Sequence, residues 1–383
     1  MLHRTTIKII FLAFAGLLSF SLPVDARESK CEIWPAWNSF HDKFVSEEGR
    51  VVDRSLPQHV TTSEGQSYGL MFALIANDRV SFDLILRWTE DNLAGGDLTS
   101  QLPAWNWGKR ADGSWGVIDS NAASDADLWI AYALGEAGRL WKYPRYSALA
   151  ELLAARILRE ETAEIPGLGL ALLPGPKGFH PDDVTWRFNP SYLPMQIMRR
   201  FAIIYPGSDW KKIADTSLEI TVKSALSGFV PEWVEYRAGK GFLADNATSA
   251  GTGFNAIRVY LWAGMLDSRD PAYSRLMKKL EPMGQHVASN GTLSLVANTS
   301  PNGTIKERAS AGFSSALLPF LKASKQGAAL HQQKQRIVAL APLDRTDNYY
   351  DQVLTLFGLG WLEGRYKFDR DGQLKPRWVC TKS

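Results

Sequence analysis

Two kinds of helical segment alternate down this chain, and that alternation constrains its fold more than any other feature. Apolar residues at helical spacing predict segments over Trp34–Val45, Glu64–Ala76, Ser81–Leu93, Ser124–Ala137, Tyr146–Thr162, Pro190–Tyr205, Trp210–Ala225, Phe254–Leu266, Pro271–Ala288, Ser310–Lys322, Leu330–Ala339 and Tyr349–Gly364. From Glu64 onward the first member of each pair is apolar nearly all round and the second on one face only. A helix apolar on every side belongs inside a larger body. The pattern therefore predicts two concentric helical layers, an inner one buried and an outer one half exposed. In such a toroid the polar loops that open the inner helices gather on one face, and the chain's two ends lie side by side. An irregular helical solenoid, with its ends far apart, is the alternative. Extended structure is expected only as small excursions: short pieces within Ala94–Ile118 and a hairpin over residues 289–309, where Asn290-Gly291 and Asn302-Gly303 signal turns.

The first 26 residues stand outside this pattern. Arg4 and Lys8 precede the apolar run Ile9–Leu22, and Val24-Asp25-Ala26 offers a small residue for cleavage. That is the form of a secretory signal peptide, too short for a membrane span. The remaining chain, residues 27–383, is expected as one domain, exported to the periplasm or beyond, monomeric and without a stable membrane anchor. Removing the leader takes the formal charge from +3 to +2, and no basic block suggests a nucleic-acid partner. The two cysteines, Cys31 and Cys380, stand near the two ends of that domain. No metal-site spacing is present, and in an oxidising compartment one disulfide joining the termini is expected.

Polar residues open each inner helix. The first brings Glu64 and Tyr68, with Ser63 and Gln66 placed for a capping box. The next brings Asp125 and Asp127, of which one is expected to cap the helix and the other to face the groove. Arg187, Asn255, Arg258, Tyr349 and Tyr350 open later ones. Carboxylates, arginines, an amide and aromatics meeting on one face suit glycoside hydrolysis, which needs an acid for the leaving oxygen and a second carboxylate. The 14 tryptophans fit a sugar-binding groove or a helical core equally well. A structural salt bridge is the plainer alternative for Arg258.

Several stretches carry a resemblance: TTSEGQSYG, SDAD, WRFNPSYLP, AIRVYLW, GFSSALLPFL and YYDQVLTLFG. In this order, from Cys31 to Cys380, they resemble the endo-β-1,4-glucanases of glycoside hydrolase family eight, and within it the periplasmic cellulases encoded with bacterial cellulose synthases. The resemblance implies an all-α, (α/α)6 barrel, an inverting mechanism, no metal or cofactor, and β-1,4-glucan as substrate. It also implies a functional association with a cellulose synthase complex. On it, Glu64 is the general acid and Asp125 holds the central sugar. Arg258 and Arg187 bind substrate, one of Tyr349 and Tyr350 lies near the cleavage point, and Trp105 and Trp107 are stacking platforms.

The chain departs from the pattern at one place. Family members resembled here carry Tyr-Asp before Ala-Ile-Arg, the aspartate being the general base, whereas this chain has Phe254-Asn255. An amide can position water but cannot take its proton. Either another carboxylate serves, with Asp245, Glu235 and Glu307 as candidates, or the protein binds glucan and cuts it poorly. Xylan, lichenan and chitosan remain alternative polymers. An inverting base belongs roughly 6.5–9.5 Å from the acid.

Overall fold

The computed structural model describes residues 34–55, 58–226, 228–245, 253–290, 310–345 and 348–378. Twelve α-helices run through them: α1 (Pro35–Phe44), α2 (Ser63–Ile75), α3 (Arg79–Leu93), α4 (Ser124–Leu140), α5 (Pro144–Glu160), α6 (Met195–Ile204), α7 (Trp210–Ser224), α8 (Ala256–Met265), α9 (Tyr273–Asn290), α10 (Ala311–Ala323), α11 (Gly327–Leu340) and α12 (Tyr349–Leu362). The even-numbered helices pack in sequence order as an inner ring, each backed by an odd-numbered neighbour, which makes an (α/α)6 barrel. The ring closes where Phe357 of α12 meets Phe72 of α2, ring centroids 4.7 Å apart.

Composition explains which helix lies where. Every residue of α8 is buried, and every residue of α2 except Glu64. In α5, by contrast, Tyr146, Ala150, Leu153, Ala154 and Ile157 form one buried stripe. Two inner glycines set the spacing of the ring. A Cβ on Gly264 would strike the backbone of Phe320, and one on Gly358 would strike the Ser315 carbonyl, so α10 is held backbone-close between α8 and α12.

One expected helix is divided. Asn189 accepts from Ser191 N–H at 3.1 Å and caps a 3₁₀ turn, Pro190–Tyr192; the chain then extends through Leu193 and restarts at Met195. Pro194 explains the break, because it lacks an N–H and biases the preceding residue away from helix.

Strands are more numerous than the sequence suggests, though all are short and antiparallel. β1 (Thr61–Thr62), β2 (Asn106–Lys109) and β3 (Trp115–Asp119) form one sheet, and β4 (Thr162–Ile165) pairs with β5 (Gly169–Leu172). β6 (Thr185–Phe188), β7 (Val234–Arg237) and β8 (Gly241–Ala244) form another, and β9 (Tyr366–Phe368) pairs with β10 (Leu374–Pro376). The hairpin expected over residues 289–309 falls almost wholly outside the described residues, as do Cys31, Cys380 and Glu307. The described ends do meet on α2: Trp34 packs edge-on against Phe72, and Trp378 Nε1 donates to the Leu74 carbonyl at 3.0 Å.

Candidate active site

The starts of α2, α4, α8 and α12 put the polar residues together. Thr62 is extended, and its hydroxyl accepts the Gly65 N–H at 3.0 Å, so it caps α2 in place of the expected Ser63. Gln66 turns away from any capping box; its side chain accepts from Val51 N–H at 2.6 Å and donates to Thr89 Oγ1 at 2.9 Å. Both contacts fix the helix start. Glu64 is left as the part of α2 that reaches solvent, with Tyr68 one turn later on the same face.

Arg258 organises what lies around them. It is almost wholly buried in the first turn of α8, and its Nη1 donates to Glu64 Oε2, to Tyr68 OH at 2.8 Å and to Asp125 Oδ2 at 3.0 Å. Its Nη2 donates to Asn255 Oδ1 at 2.8 Å, the i, i+3 neighbour. Its guanidinium lies 5.7 Å from the centre of the Tyr192 ring. Asp125 is fully buried and accepts the Ala126 N–H at 2.9 Å. Burial pushes its carboxyl up to about 7; Arg258 opposes the rise, and the neighbouring Glu64, hydrogen-bonded to it, adds to it. Below that pH Asp125 keeps a proton beside Glu64, so one cation faces two carboxyl groups that are not both charged.

A cleft of about 290 Å³ opens over this group. Val51, Asp53, Thr62 and Glu64 line it from the first part of the chain, Phe254, Asn255 and Arg258 from the start of α8, and Tyr349 and Tyr350 from α12. The two tyrosines differ. Tyr350 OH donates to the Phe254 carbonyl at 2.5 Å, while Tyr349 packs on Phe40 and Phe44 with its hydroxyl against Gly65. Glu64, Tyr68, Asp125, Asn255, Arg258, Tyr349 and Tyr350 are thus assembled as one group.

The other expected residues stand apart. Arg187 forms a fork on Asp245, with Nε to Oδ1 at 2.8 Å and Nη2 to Oδ2 at 3.0 Å, and lies 5.1 Å from the centre of the Trp233 ring. Asp245 is therefore buried in an ion pair, and Glu235 pairs in register with Arg187, so neither is placed as the expected substitute base. Trp105 is 37% exposed. Trp107 is crowded: Trp115 stacks on it at 5.5 Å, Trp88 meets it edge-on at 5.2 Å, and the Arg50 guanidinium lies 4.4 Å from its ring centre and 5.1 Å from that of Trp115. Trp115, 50% exposed, presents the freer face, and the sequence reading passed over it.

Asp127 is no cap either. It lies wholly buried facing Glu161, which directly follows the last turn of α5, and the two carboxyl groups have only each other as hydrogen-bond partner. Burial raises both groups well above the ordinary carboxyl range; the Asp125 charge adds to the rise at Asp127, which the contact with Glu161 opposes, and Asp127 adds to the rise at Glu161. Among the described residues no cluster of His, Cys, Asp or Glu could hold a metal ion, and no helix is long and apolar enough to cross a membrane. Tyr192 and Glu232 escaped the sequence reading. Tyr192 was visible only as part of WRFNPSYLP, and Glu232, which accepts the Asn255 N–H at 2.9 Å, carried no local signal.

The family model for glycosyl hydrolases family 8 matches residues 17–364. The endoglucanase of Escherichia coli strain K12 is 44% identical over 352 residues, covering 91% of this chain and 93% of that protein. The endoglucanase of Xanthomonas axonopodis pv. citri is 45% identical over 354 residues, covering 92% and 91%. The crystal structure of an endo-1,4-D-glucanase from Vibrio fischeri superposes with a TM-score of 0.86 at 45% identity, covering 91% of this chain and 100% of that one.

Proposed function

The chain belongs to glycosyl hydrolase family 8, and from that premise we propose that it is an exported, endo-acting, inverting β-1,4-glucanase working alongside bacterial cellulose synthesis. The observation that carries the activity is the placement of Glu64: the only residue of its helix in the cleft wall, beside the buried Asp125 carboxyl and an arginine that touches both. The relatives named endoglucanase, at 44 and 45% identity over most of both chains, support β-1,4-glucan as the substrate.

In this reading the glucan lies along the cleft with the scissile oxygen at Glu64. Glu64 gives its proton to that oxygen as the bond to the anomeric carbon breaks. Water attacks the same carbon from the opposite face, so its configuration inverts. Arg258, fixed by Tyr68, Asp125 and Asn255, supplies positive charge and donors where the ring hydroxyls lie. Asp125 and Tyr192 hold the distorted central sugar, and Trp115 with Trp105 offers aromatic faces further along. Export rests on the leader pattern of Arg4, Lys8 and Ile9–Leu22, and the tie to cellulose synthesis on the motifs shared with the periplasmic cellulases.

Asn255 favours a second reading, a glucan-binding protein on the same scaffold that cuts slowly or not at all. Reducing-end release and viscosity loss on carboxymethyl cellulose decide between them. The hydrolase reading expects a steep viscosity drop with few new ends, α-anomeric products by NMR, and loss of both signals in Glu64→Gln. Binding without turnover in the natural chain selects the second reading; equal activity in Glu64→Gln removes the first.

A further inference from the structure

The hydrolytic reading needs a proton acceptor, and Asn255 is not one. Its Oδ1 takes a hydrogen bond from Arg258 Nη2, which leaves the amide NH₂ as a donor only. The segment joining α7 to α8, however, brings a carboxylate to the backbone of the same residue. Glu232 Oε1 accepts the Asn255 backbone N–H at 2.9 Å, and the same carboxylate packs closely on Gly253, where any side chain would collide with it. Glu232 is half-buried, and its charge is felt at Tyr350, a residue of the cleft wall whose phenol is raised first by burial and then by the carboxylates around it.

The alternatives are placed elsewhere. Asp245 is buried in its fork with Arg187, and Glu235 belongs to the same ion pair's surroundings. Asp53 lines the cleft on the stretch that leads into Glu64's helix, whereas Glu232 is tied to Asn255 itself.

We propose that Glu232 is the general base of this enzyme, taking the proton of a water that the Asn255 amide positions. The proposal rests on the hydrolytic reading above. In the step, the water oxygen forms a bond to the anomeric carbon while the bond to the leaving sugar breaks, its electron pair passing to the leaving oxygen. Glu64 supplies the proton to that oxygen, and Glu232 receives the one lost by the water. Solvent exchange then returns the two carboxyl groups to their starting state.

Contact with a helix-opening N–H is also what a merely structural glutamate makes, and the test separates the two. Glu232→Gln keeps an oxygen to accept the Asn255 N–H but cannot take a proton, so a structural role predicts unchanged kinetics. The proposal expects kcat on carboxymethyl cellulose to fall on the order of 10²- to 10⁴-fold in Glu232→Gln, with KM and Tm nearly unchanged. The acid limb of the kcat/KM profile of the natural chain should vanish with it. Adding Asn255→Asp to Glu232→Gln should restore at least about tenfold of the loss, because a carboxylate again faces the same water. Full activity in Glu232→Gln overturns the proposal and leaves the hydrolase reading standing. A natural chain that turns over only once Asn255→Asp is introduced overturns both.

Discussion

Replacing Arg258 by methionine tests whether the cluster is held by charge as the geometry requires. The substitution keeps an unbranched side chain of similar length and removes a cation that touches Glu64, Asp125, Tyr68 and Asn255. At pH 8 the natural Asp125 is mostly ionised, and without Arg258 it must take up a proton, which adds at most about 1.4 kcal/mol to the loss common to both pH values. With an unfolding entropy of about 2.1 cal/mol/K per residue over the roughly 310 described residues, that increment is a further fall in Tm of about 2 °C. At pH 5 the sum is different. The folded-state value of Asp125 lies near 7, above its unfolded value, so the natural chain already holds the proton there. Arg258 opposes that rise, so its loss moves the group further up and leaves it neutral. What is lost then is the set of contacts to Glu64, Tyr68, Asp125 and Asn255 that is common to both pH values, about 3–5 kcal/mol, or about 5–8 °C. Calorimetry of both chains at the two pH values reads the difference directly. An equal loss at pH 5 and pH 8, or a larger one at pH 5, refutes the account of Asp125 as a carboxyl kept in check by Arg258.

The Asp127–Glu161 pair has a stability signature of its own. Both groups are raised in the folded state, so folding takes up protons, and stability from this pair declines as pH climbs above the unfolded carboxyl range near 4. Asp127→Asn should flatten the dependence of Tm on pH between about 5 and 8, and an unchanged slope would speak against a buried, proton-holding pair. Trp115→Ala should raise KM for long glucan severalfold while leaving kcat close to its natural value, since it removes a stacking face and no reacting group; a kcat-only effect contradicts that placement. Gly358→Ala drives a methyl into the Ser315 carbonyl, and a loss of at least about 3 kcal/mol in urea unfolding is expected, against the modest gain that alanine brings to an ordinary helix.

The helices were legible because burial writes itself at a period that local reading can detect: α2, α8 and α12 are apolar all round, and their neighbours are striped. Pro194, visible in the sequence, broke a helix that periodicity alone carried through. The hairpins were mostly missed since their strands are only three to five residues long, too short for alternation to show. In the site, the residues that open inner helices could be grouped by topology alone. Pairing could not. Nothing near Arg187 in the sequence says that Asp245, 58 residues on, occupies it, and nothing near Glu232 says that it meets Asn255 across 23 residues. One of Asp125 and Asp127 is expected as a cap because acids at helix starts often are, and only the end of α5 shows that Asp127 faces Glu161 instead.

The cleft is also a seam. Its walls come from the first inner helix and the last, with Tyr349 against Gly65, Phe357 against Phe72, and Arg258 reaching Glu64 across 194 residues of chain. Contacts so distant in sequence form late in folding, after most loop-closure entropy has been overcome. Helical signal should therefore recover in refolding before any turnover does, and the appearance of turnover should time the insertion of α12 beside α2. By the same logic a chain stopped before α12 would keep most of its helices and have no cleft: catalysis here is a property of the closed circle.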